Sequence, residues 1–205
     1  MLKFADAEFV LFDVETTGLS PTEGDRIVEF SALKLRRGEI VGHLTSLVNP
    51  GRTLAAQEIH GITEDMLKGA PSSADVLPQM IDFLGNACLV AHNASFDVKF
   101  LAYELALAGR RLREQTPAVD TVKMARAFLP HLTSYRLSYL ATSLGITAGG
   151  AHRAQADTEI LRQVFGRLLL MAPDYNVHTL PDLVTQFGVE KPVFRMNAGE
   201  QPSLF

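Results

Sequence analysis

The chain has 205 residues, a formal charge of −4 and 47% hydrophobic residues, a composition typical of one globular domain. The negative charge excludes a protein that holds nucleic acid through an overall basic surface, although bound divalent metals would cancel acidic charge locally. The single cysteine, Cys88, excludes an intramolecular disulfide, and the lack of a signal peptide or long apolar run predicts a soluble cytoplasmic protein without a membrane partner.

The first third of the chain predicts β-strands over residues 8–15, 26–38 and 38–50. The link Arg36-Arg37-Gly38-Glu39 favours a hairpin between the second and third strands. Alternation in the second strand predicts two faces: Ile27, Glu29, Ser31 and Leu33 on one, and Val28, Phe30, Ala32 and Leu35 roughly on the other.

Helices and two shorter strands follow in the chain. Apolar spacing predicts helices over residues 73–85, 94–109, 121–129, 136–145 and 152–171. Strands are predicted over residues 87–93, where Cys88 reads as a core residue, and 118–121. This order indicates a mixed sheet with helices packed on it.

Two acids end the first predicted strand. Asp13 and Glu15 follow the apolar run Phe9–Phe12, with only Val14 between them. Since side chains alternate along a strand, both acids point to one face, where like charges repel and burial of an unpaired carboxylate is costly. The pair therefore indicates a site that holds a cation, and two solvated acids at a strand end are the alternative.

Two more acids and a histidine occur in later elements. Asp97 comes just after the fourth strand, and His152 precedes Asp157 with four residues between them. Carboxylate ligands suit Mg²⁺ or Mn²⁺, and two such ions about 4 Å apart can bind a phosphodiester while a histidine takes a proton from water. Each residue alone has an ordinary alternative: Asp97 as a helix N-terminal acid, Asp157 on a solvated helix face and His152 in a loop.

Four short motifs resemble, in order, those of the DEDDh 3′–5′ exonucleases: FDVETTGL, IHGIT, AHNASFD and HRAQAD. This family includes the proofreading epsilon subunit of the bacterial replicative polymerase and stand-alone relatives. The resemblance covers about residues 8 to 170 and implies an α/β, ribonuclease-H-like mixed β-sheet flanked by helices. His152 fits the histidine subclass, because the tyrosine subclass would have a tyrosine in place of Arg153.

The resemblance also implies roles for individual residues. Asp13, Glu15 and Asp157 would bind the ion that activates water, Asp13 and Asp97 would bind a second ion, and His152 would be the general base. A second set would contact the terminal nucleotide of the substrate: Thr16, Leu19, His60, Asn93 and Phe96. Phe96 also fits the apolar core stripe of a helix, and Leu19 also fits a residue that anchors a turn.

The chain ends in QPSLF, which resembles the short peptide by which bacterial polymerases and repair proteins bind the sliding clamp. Gln201 would be its polar anchor, and Leu204 and Phe205 would fill an apolar pocket. A tail that packs back on its own domain is the alternative.

Taken together, these features predict an exonuclease domain over residues 1–172 and a partly ordered C-terminal tail over residues 173–205, with one short helix near residues 181–187. We expect a two-metal enzyme, using Mg²⁺ or Mn²⁺, that hydrolyses DNA from the 3′ end to nucleoside 5′-monophosphates in proofreading or repair, with the sliding clamp and a replicative polymerase as partners. One alternative is an RNA-trimming exoribonuclease or oligoribonuclease of the same family. The other is a non-catalytic clamp adaptor on a nuclease fold.

Overall fold

A computed structural model describes residues 4–54, 57–147 and 153–194, and its five β-strands in these ranges form one mixed sheet. The strands are β1 (Glu8–Thr16), β2 (Ile27–Arg36), β3 (Glu39–Leu47), β4 (Cys88–Ala91) and β5 (Ala118–Asp120). Their order across the sheet is β3-β2-β1-β4-β5, with antiparallel pairing from β3 to β1 and parallel pairing from β1 to β5. This arrangement confirms the predicted mixed sheet.

Helices cover both faces of this sheet. They are α1 (Gln57–His60), α2 (Glu64–Leu67), α3 (Ser73–Leu84), α4 (Ala94–Leu107), α5 (Thr121–Phe128), α6 (Leu137–Ser143), α7 (Ala154–Met171) and α8 (Leu180–Phe187). The single-turn helices α1 and α2 have no predicted counterpart, because four residues are too few to show a helical period. Within the described ranges, no helix has both the length and the hydropathy needed to cross a bilayer.

The hairpin between β2 and β3 closes through two residues with positive φ, Arg37 at 53° and Gly38 at 80°. Positive φ at both central residues is the signature of a type I′ turn, whose twist matches that of the flanking strands. The pairing of Arg36 with Glu39 follows directly from this turn, as the sequence predicts.

Side chains that alternate along β1 belong to two hydrophobic clusters. Phe9 and Leu11 pack with residues of α5, α6, α7 and α8, whereas Val10, Phe12 and Val14 pack with residues of α3 and α4. The sheet is therefore the middle of three layers, and odd-numbered residues of β1 face α7. Cys88 is buried in the first cluster, and burial raises the pKa of its thiol to about 12, as expected for a core residue.

Two face assignments predicted for β2 were wrong. Ile27 is predicted on the face of Glu29 but packs with Phe30, because the pairing register with β1 shifts beside it. Leu35 is predicted on the face of Phe30 but packs with Phe9, its partner in the β1–β2 ladder, on the side that regular alternation from Leu33 gives. A bulge adds one residue to one strand and reverses its side-chain alternation, which explains the face of Ile27. The register shift near Leu35 adds its residue to β3 and leaves the alternation of β2 intact.

A buried ion pair joins β2 to the helical layer of α3 and α4. Glu104 is 1% exposed and accepts hydrogen bonds from Arg26 Nε at 2.8 Å and Nη2 at 2.7 Å. Ser73 Oγ and the Ile27 amide also donate to this carboxylate, at 2.5 and 3.3 Å. The carboxylate is thus fully paired, which is the condition under which a buried charge is tolerated.

The described part of the predicted tail packs on the same core as the rest of the chain. Val177, Leu183 and Phe187 are buried in the cluster that contains α7. The Val189 amide donates to the Ala118 carbonyl at 2.9 Å, which continues the contact along β5. The domain boundary at residue 172 stays a prediction, and these contacts favour a cooperative unit that extends beyond it.

Replacement of Phe187 by alanine tests whether α8 belongs to that unit. The ring is 4% exposed and lies 5.3 Å from the ring of Phe128, so Phe187→Ala should cost about 3 kcal/mol, or roughly 10 °C in Tm. Val193→Ala is the control, because Val193 is 76% exposed and its loss should leave Tm unchanged. Thermal unfolding, monitored by circular dichroism, measures the Tm of both variants. Equal Tm values would place α8 outside the cooperative unit.

Candidate active site

Three carboxylates meet where β1 ends. Asp13 and Glu15 continue the face of β1 that carries Phe9 and Leu11, and α7 packs on this face with Asp157 in its first turn. One oxygen from each of the three carboxyl groups lies within 4.8 Å of the other two. Strand alternation therefore explains why two acids from β1 and one from α7 converge.

Asp97 approaches the same strand end from the opposite layer. It lies in the first turn of α4, is 3% exposed, and its Oδ1 accepts the amide hydrogen of Val14 at 3.1 Å. Because Val14 separates Asp13 from Glu15 in the chain, this bond holds the fourth acid beside the three-carboxylate group.

The pKa values of these acids show the cost of crowding them. Burial raises the pKa of Asp13 well above its usual range, and the charges of Asp97, Glu15 and Asp157 raise it further. Burial and then Asp157 and Glu29 raise the pKa of Glu15 to about 7, against a partial opposing effect of Arg153. Burial likewise raises the pKa of Asp97, although backbone amides that donate to it act in the opposite direction.

These properties fit a divalent metal site. The donors are all carboxylate oxygens, which are the ligands that hard divalent cations prefer. Their mutual repulsion means that a cation between them would remove the main unfavourable interaction at this end of the sheet. The residues that could hold such ions are Asp13, Glu15, Asp97 and Asp157.

A hydrogen-bonded turn places α4 relative to the sheet. Asn93 adopts a left-handed conformation with φ of 67°, and its amide donates to Asp120 Oδ1 at 3.1 Å. The same oxygen accepts from the Val122 amide at 2.8 Å, at the start of α5. His92 donates through Nε2 to the Tyr135 carbonyl at 2.7 Å, and burial lowers the pKa of its ring. The start of α4, and with it Asp97, is thus held from the end of β5.

Two of the predicted substrate-binding residues follow the carboxylates in the chain, Thr16 at the end of β1 and Leu19 three residues later. Thr16 is buried and its Oγ1 donates to the Gly18 carbonyl at 2.7 Å, so its side chain shapes the turn after the strand. Leu19 is 79% exposed, and its carbonyl accepts from Lys99 Nζ at 3.2 Å. The contact of this exposed apolar side chain with a nucleotide stays a prediction.

The other predicted substrate-binding residues lie on three different elements. His60 is 2% exposed, and its Nδ1 accepts the Ile62 amide hydrogen at 3.0 Å. Asn93 is exposed in the turn before α4. Phe96 is partly buried and lies 4.9 Å from the Phe100 ring, which also fits the helix-core alternative. The roles of His60, Asn93 and Phe96 in substrate binding stay predictions.

The remaining predicted site residues lie outside the described part of the chain: His152, Gln201, Leu204 and Phe205.

The sequence analysis assigned no site role to three polar residues around the site: Glu29, Arg153 and Asp120. Glu29 is 1% exposed and contacts Arg153, while Asp120 is 5% exposed and holds the turn at Asn93. A signal for Glu29 exists in the sequence, since an acid within the apolar run RIVEFSA needs a partner if the strand is buried on both faces. Only the structure shows that β2 is buried on both faces at Glu29.

Comparisons with known proteins agree with this geometry. Residues 10–165 match the RNase_T model, described as exonuclease. DNA polymerase III PolC-type of Clostridium perfringens is 39% identical over 181 residues, which cover 85% of this chain but only 12% of that protein. The chain therefore spans about an eighth of the length of this relative.

Solved structures of exonucleases share the fold. Exonuclease X, solved with 5′-overhanging duplex DNA, is 27% identical with a TM-score of 0.65, covering 86% of this chain and 98% of that one. A 3′-exonuclease solved on a histone mRNA stem-loop is 21% identical with a TM-score of 0.69, covering 96% of this chain and 71% of that one, which shows the fold alone. With a family model over most of its sheet and helices, and with the acidic cluster in place, the chain belongs to the RNase_T family of exonucleases and has a ribonuclease-H-like fold.

Proposed function

We propose that the protein is a 3′–5′ exonuclease that removes nucleoside 5′-monophosphates from DNA, using two Mg²⁺ or Mn²⁺ ions. The observation that carries this proposal is the group formed by Asp13, Glu15 and Asp157, with Asp97 bonded to the strand between the first two. Family membership supports the hydrolytic chemistry and the use of divalent metals. The PolC-type relative and the DNA-bound exonuclease X support DNA as the substrate.

The chain's own residues have distinct tasks in this proposal. Asp13, Glu15 and Asp157 would hold one ion, and Asp13 with Asp97 would hold a second. When bound, such ions lower the pKa of water and offset negative charge on the phosphodiester. His152, one residue before the N-cap residue of α7 in the chain, would take the proton of the attacking water as general base. The water oxygen would bond to phosphorus as the P–O3′ bond breaks, and the shortened strand would leave with a 3′-hydroxyl. A further set contacts the terminal nucleotide: Thr16, Leu19, His60, Asn93 and Phe96.

RNA is the second candidate substrate. The fold is shared with a 3′-exonuclease solved on an mRNA stem-loop, so the fold alone does not select the sugar. A 2′-hydroxyl would have to be accepted or excluded by groups at the terminal nucleotide. The non-catalytic adaptor is the less supported alternative, because the carboxylates needed for catalysis come together in the folded chain.

Association with replication proteins is part of the same proposal. PolC-type relatives are much longer than this chain, so a polymerase partner is inferred from homology over one segment. We infer that Gln201, Leu204 and Phe205 bind a sliding clamp, on the resemblance of QPSLF to clamp-binding peptides. An enzyme that acts on bacterial DNA during replication would be cytoplasmic, which is the location that the sequence predicts.

The decisive assay is digestion of 3′- and 5′-end-labelled DNA and RNA of one sequence, with Mg²⁺, Mn²⁺ or EDTA. Wild-type protein should release 5′-mononucleotides from the 3′ end of DNA, only with metal. Asp13→Asn should abolish release because a metal ligand is lost, and His152→Ala should lower kcat by roughly a hundredfold with little change in KM. Faster digestion of RNA would replace the DNA assignment with the RNA one. Full activity of Asp13→Asn would disprove the metal assignment.

Metal-free stability should depend on pH through the acidic cluster. Because the pKa of Glu15 is raised to about 7 from 4.5, and that of Asp13 is also raised, the folded chain keeps protons that the unfolded chain releases. Stability in EDTA should therefore fall as pH rises from about 4.5 to about 7 through Glu15, and the raised pKa of Asp13 adds a loss in the same direction. At pH 8, Asp13→Asn should melt roughly 2–4 °C above wild type, the shift that about 1 kcal/mol gives in a chain of this size.

This difference should narrow as the pH falls toward 4, and adding Mg²⁺ should stabilise wild type more than Asp13→Asn. Differential scanning fluorimetry in matched buffers measures both effects. Identical melting curves for the two proteins at every pH would show that the acids do not repel one another in the folded state.

Clamp binding is tested by removing residues 201–205. A short peptide that orders on binding should give a micromolar dissociation constant for one clamp pocket. Isothermal titration of purified clamp should show binding by the full chain and none by the truncated chain, while both digest short oligonucleotides equally. The double variant Leu204→Ala/Phe205→Ala is the matched control at full length and should behave as the truncation does. Equal binding by all three proteins, or none by any, contradicts the proposal.

A further inference from the structure

Glu29 occupies an unfavourable position beside the acidic cluster. It is directly opposite Glu15 in the antiparallel β1–β2 ladder and is 1% exposed. Like charges directly opposite one another destabilise a sheet, and a buried carboxylate without a partner costs several kcal/mol. A residue in this position requires an interaction that offsets both effects.

That interaction comes from the start of α7. Arg153 donates to Glu29 through Nε at 3.1 Å and Nη2 at 2.7 Å, a bidentate ion pair. The Ala154 amide donates to the same carboxylate at 3.0 Å. Arg153 is the N-cap residue of α7, and its own side chain does not cap the helix. Glu29 therefore provides the cap of α7 from a strand of the sheet.

The capped turn is the one that carries Asp157. The Asp157 amide donates to the Arg153 carbonyl at 3.0 Å, so Asp157 belongs to the same first turn that Glu29 binds. One residue further on, Thr158 is buried and its Oγ1 donates to the Ala154 carbonyl at 2.5 Å. The position of the Asp157 carboxylate against β1 thus depends on how firmly this turn is held to β2.

We propose that Glu29 and Arg153 are positioning residues of the exonuclease: they hold the first turn of α7 so that Asp157 completes the carboxylate group with Asp13 and Glu15. The inference rests on the proposed function and deepens it. Neither residue is assigned to metal binding; each acts through Asp157 and through the charge it places near the cluster. Glu29 raises the pKa of Glu15, and Arg153 lowers it, so Arg153 offsets the charge that Glu29 adds.

The chain contains a matched control for this pair. Arg26 and Glu104 also form a bidentate ion pair, Glu104 is also 1% exposed, and it also accepts a backbone amide hydrogen, from Ile27. This second pair joins β2 to α4 near its C-terminal end and to Ser73, so it does not hold the turn of Asp157. Loss of either pair should therefore cost similar stability but differ in its effect on the site.

The experiment compares Glu29→Gln with Glu104→Gln, at a temperature where both are folded by circular dichroism. Measurements are Tm, Mn²⁺ affinity by isothermal titration without DNA, and kcat and KM on single-stranded DNA. Both variants should lose Tm. Only Glu29→Gln should weaken Mn²⁺ binding and lower kcat, each by about tenfold or more, with KM for DNA changed less than about threefold. Arg153→Lys keeps the charge but not the bidentate geometry and should show a smaller loss of the same two quantities.

A Glu29→Gln protein that loses Tm as Glu104→Gln does, yet keeps Mn²⁺ affinity and kcat within about twofold of wild type, would overturn the proposal. If Glu29→Gln does not fold, Mn²⁺ affinity and kcat of Arg153→Lys decide instead. This variant should fold because residue 153 is partly exposed and the lysine keeps the positive charge. Wild-type protein that binds Mn²⁺ but digests neither DNA nor RNA would refute the proposed function. The Mn²⁺ affinities of the variants would still decide whether the pair positions Asp157.

Discussion

The repulsion between carboxylates at the end of β1 is the constraint to which the surrounding structure responds. Burial and mutual charge raise the pKa of Asp13, Glu15 and Asp97 together, which means that the metal-free fold holds them at a cost. A backbone amide bonds Asp97, and an arginine lies near Glu15. Such stored repulsion is typical of sites that give up stability to bind a cation.

The topology explains how acids from both helical layers reach one place. β1 is central, with β2 antiparallel on one side and β4 parallel on the other, so the segments after β1 and β4 leave from the same edge of the sheet. Asp13 and Glu15 face α7, while Asp97 reaches the backbone of β1 from α4. Sites in α/β folds are expected at the carboxyl ends of strands for this reason.

Two Arg–Glu pairs of the same chemistry have different consequences in this fold. The pair of Arg26 and Glu104 connects β2 to α4, and its carboxylate is used entirely for structure. The pair of Glu29 and Arg153 connects the same strand to α7, one turn from a residue of the carboxylate group. Position relative to the cluster, rather than burial or bond geometry, decides which pair affects the chemistry.

Helical and strand periods and turn chemistry are local properties, so the five strands and the longer helices could be predicted from the sequence, whereas the single-turn helix α1 at IHGIT could not. The run Phe9–Phe12, the turn at Arg37 and Gly38, and the acids Asp13 and Glu15 on one face all follow from neighbours in the chain. The partner of Glu29 depends on the folding of distant segments, since Arg153 is 124 residues away in sequence. The face of Ile27 also depends on tertiary pairing, since a register shift depends on how two strands pair, which no single strand encodes.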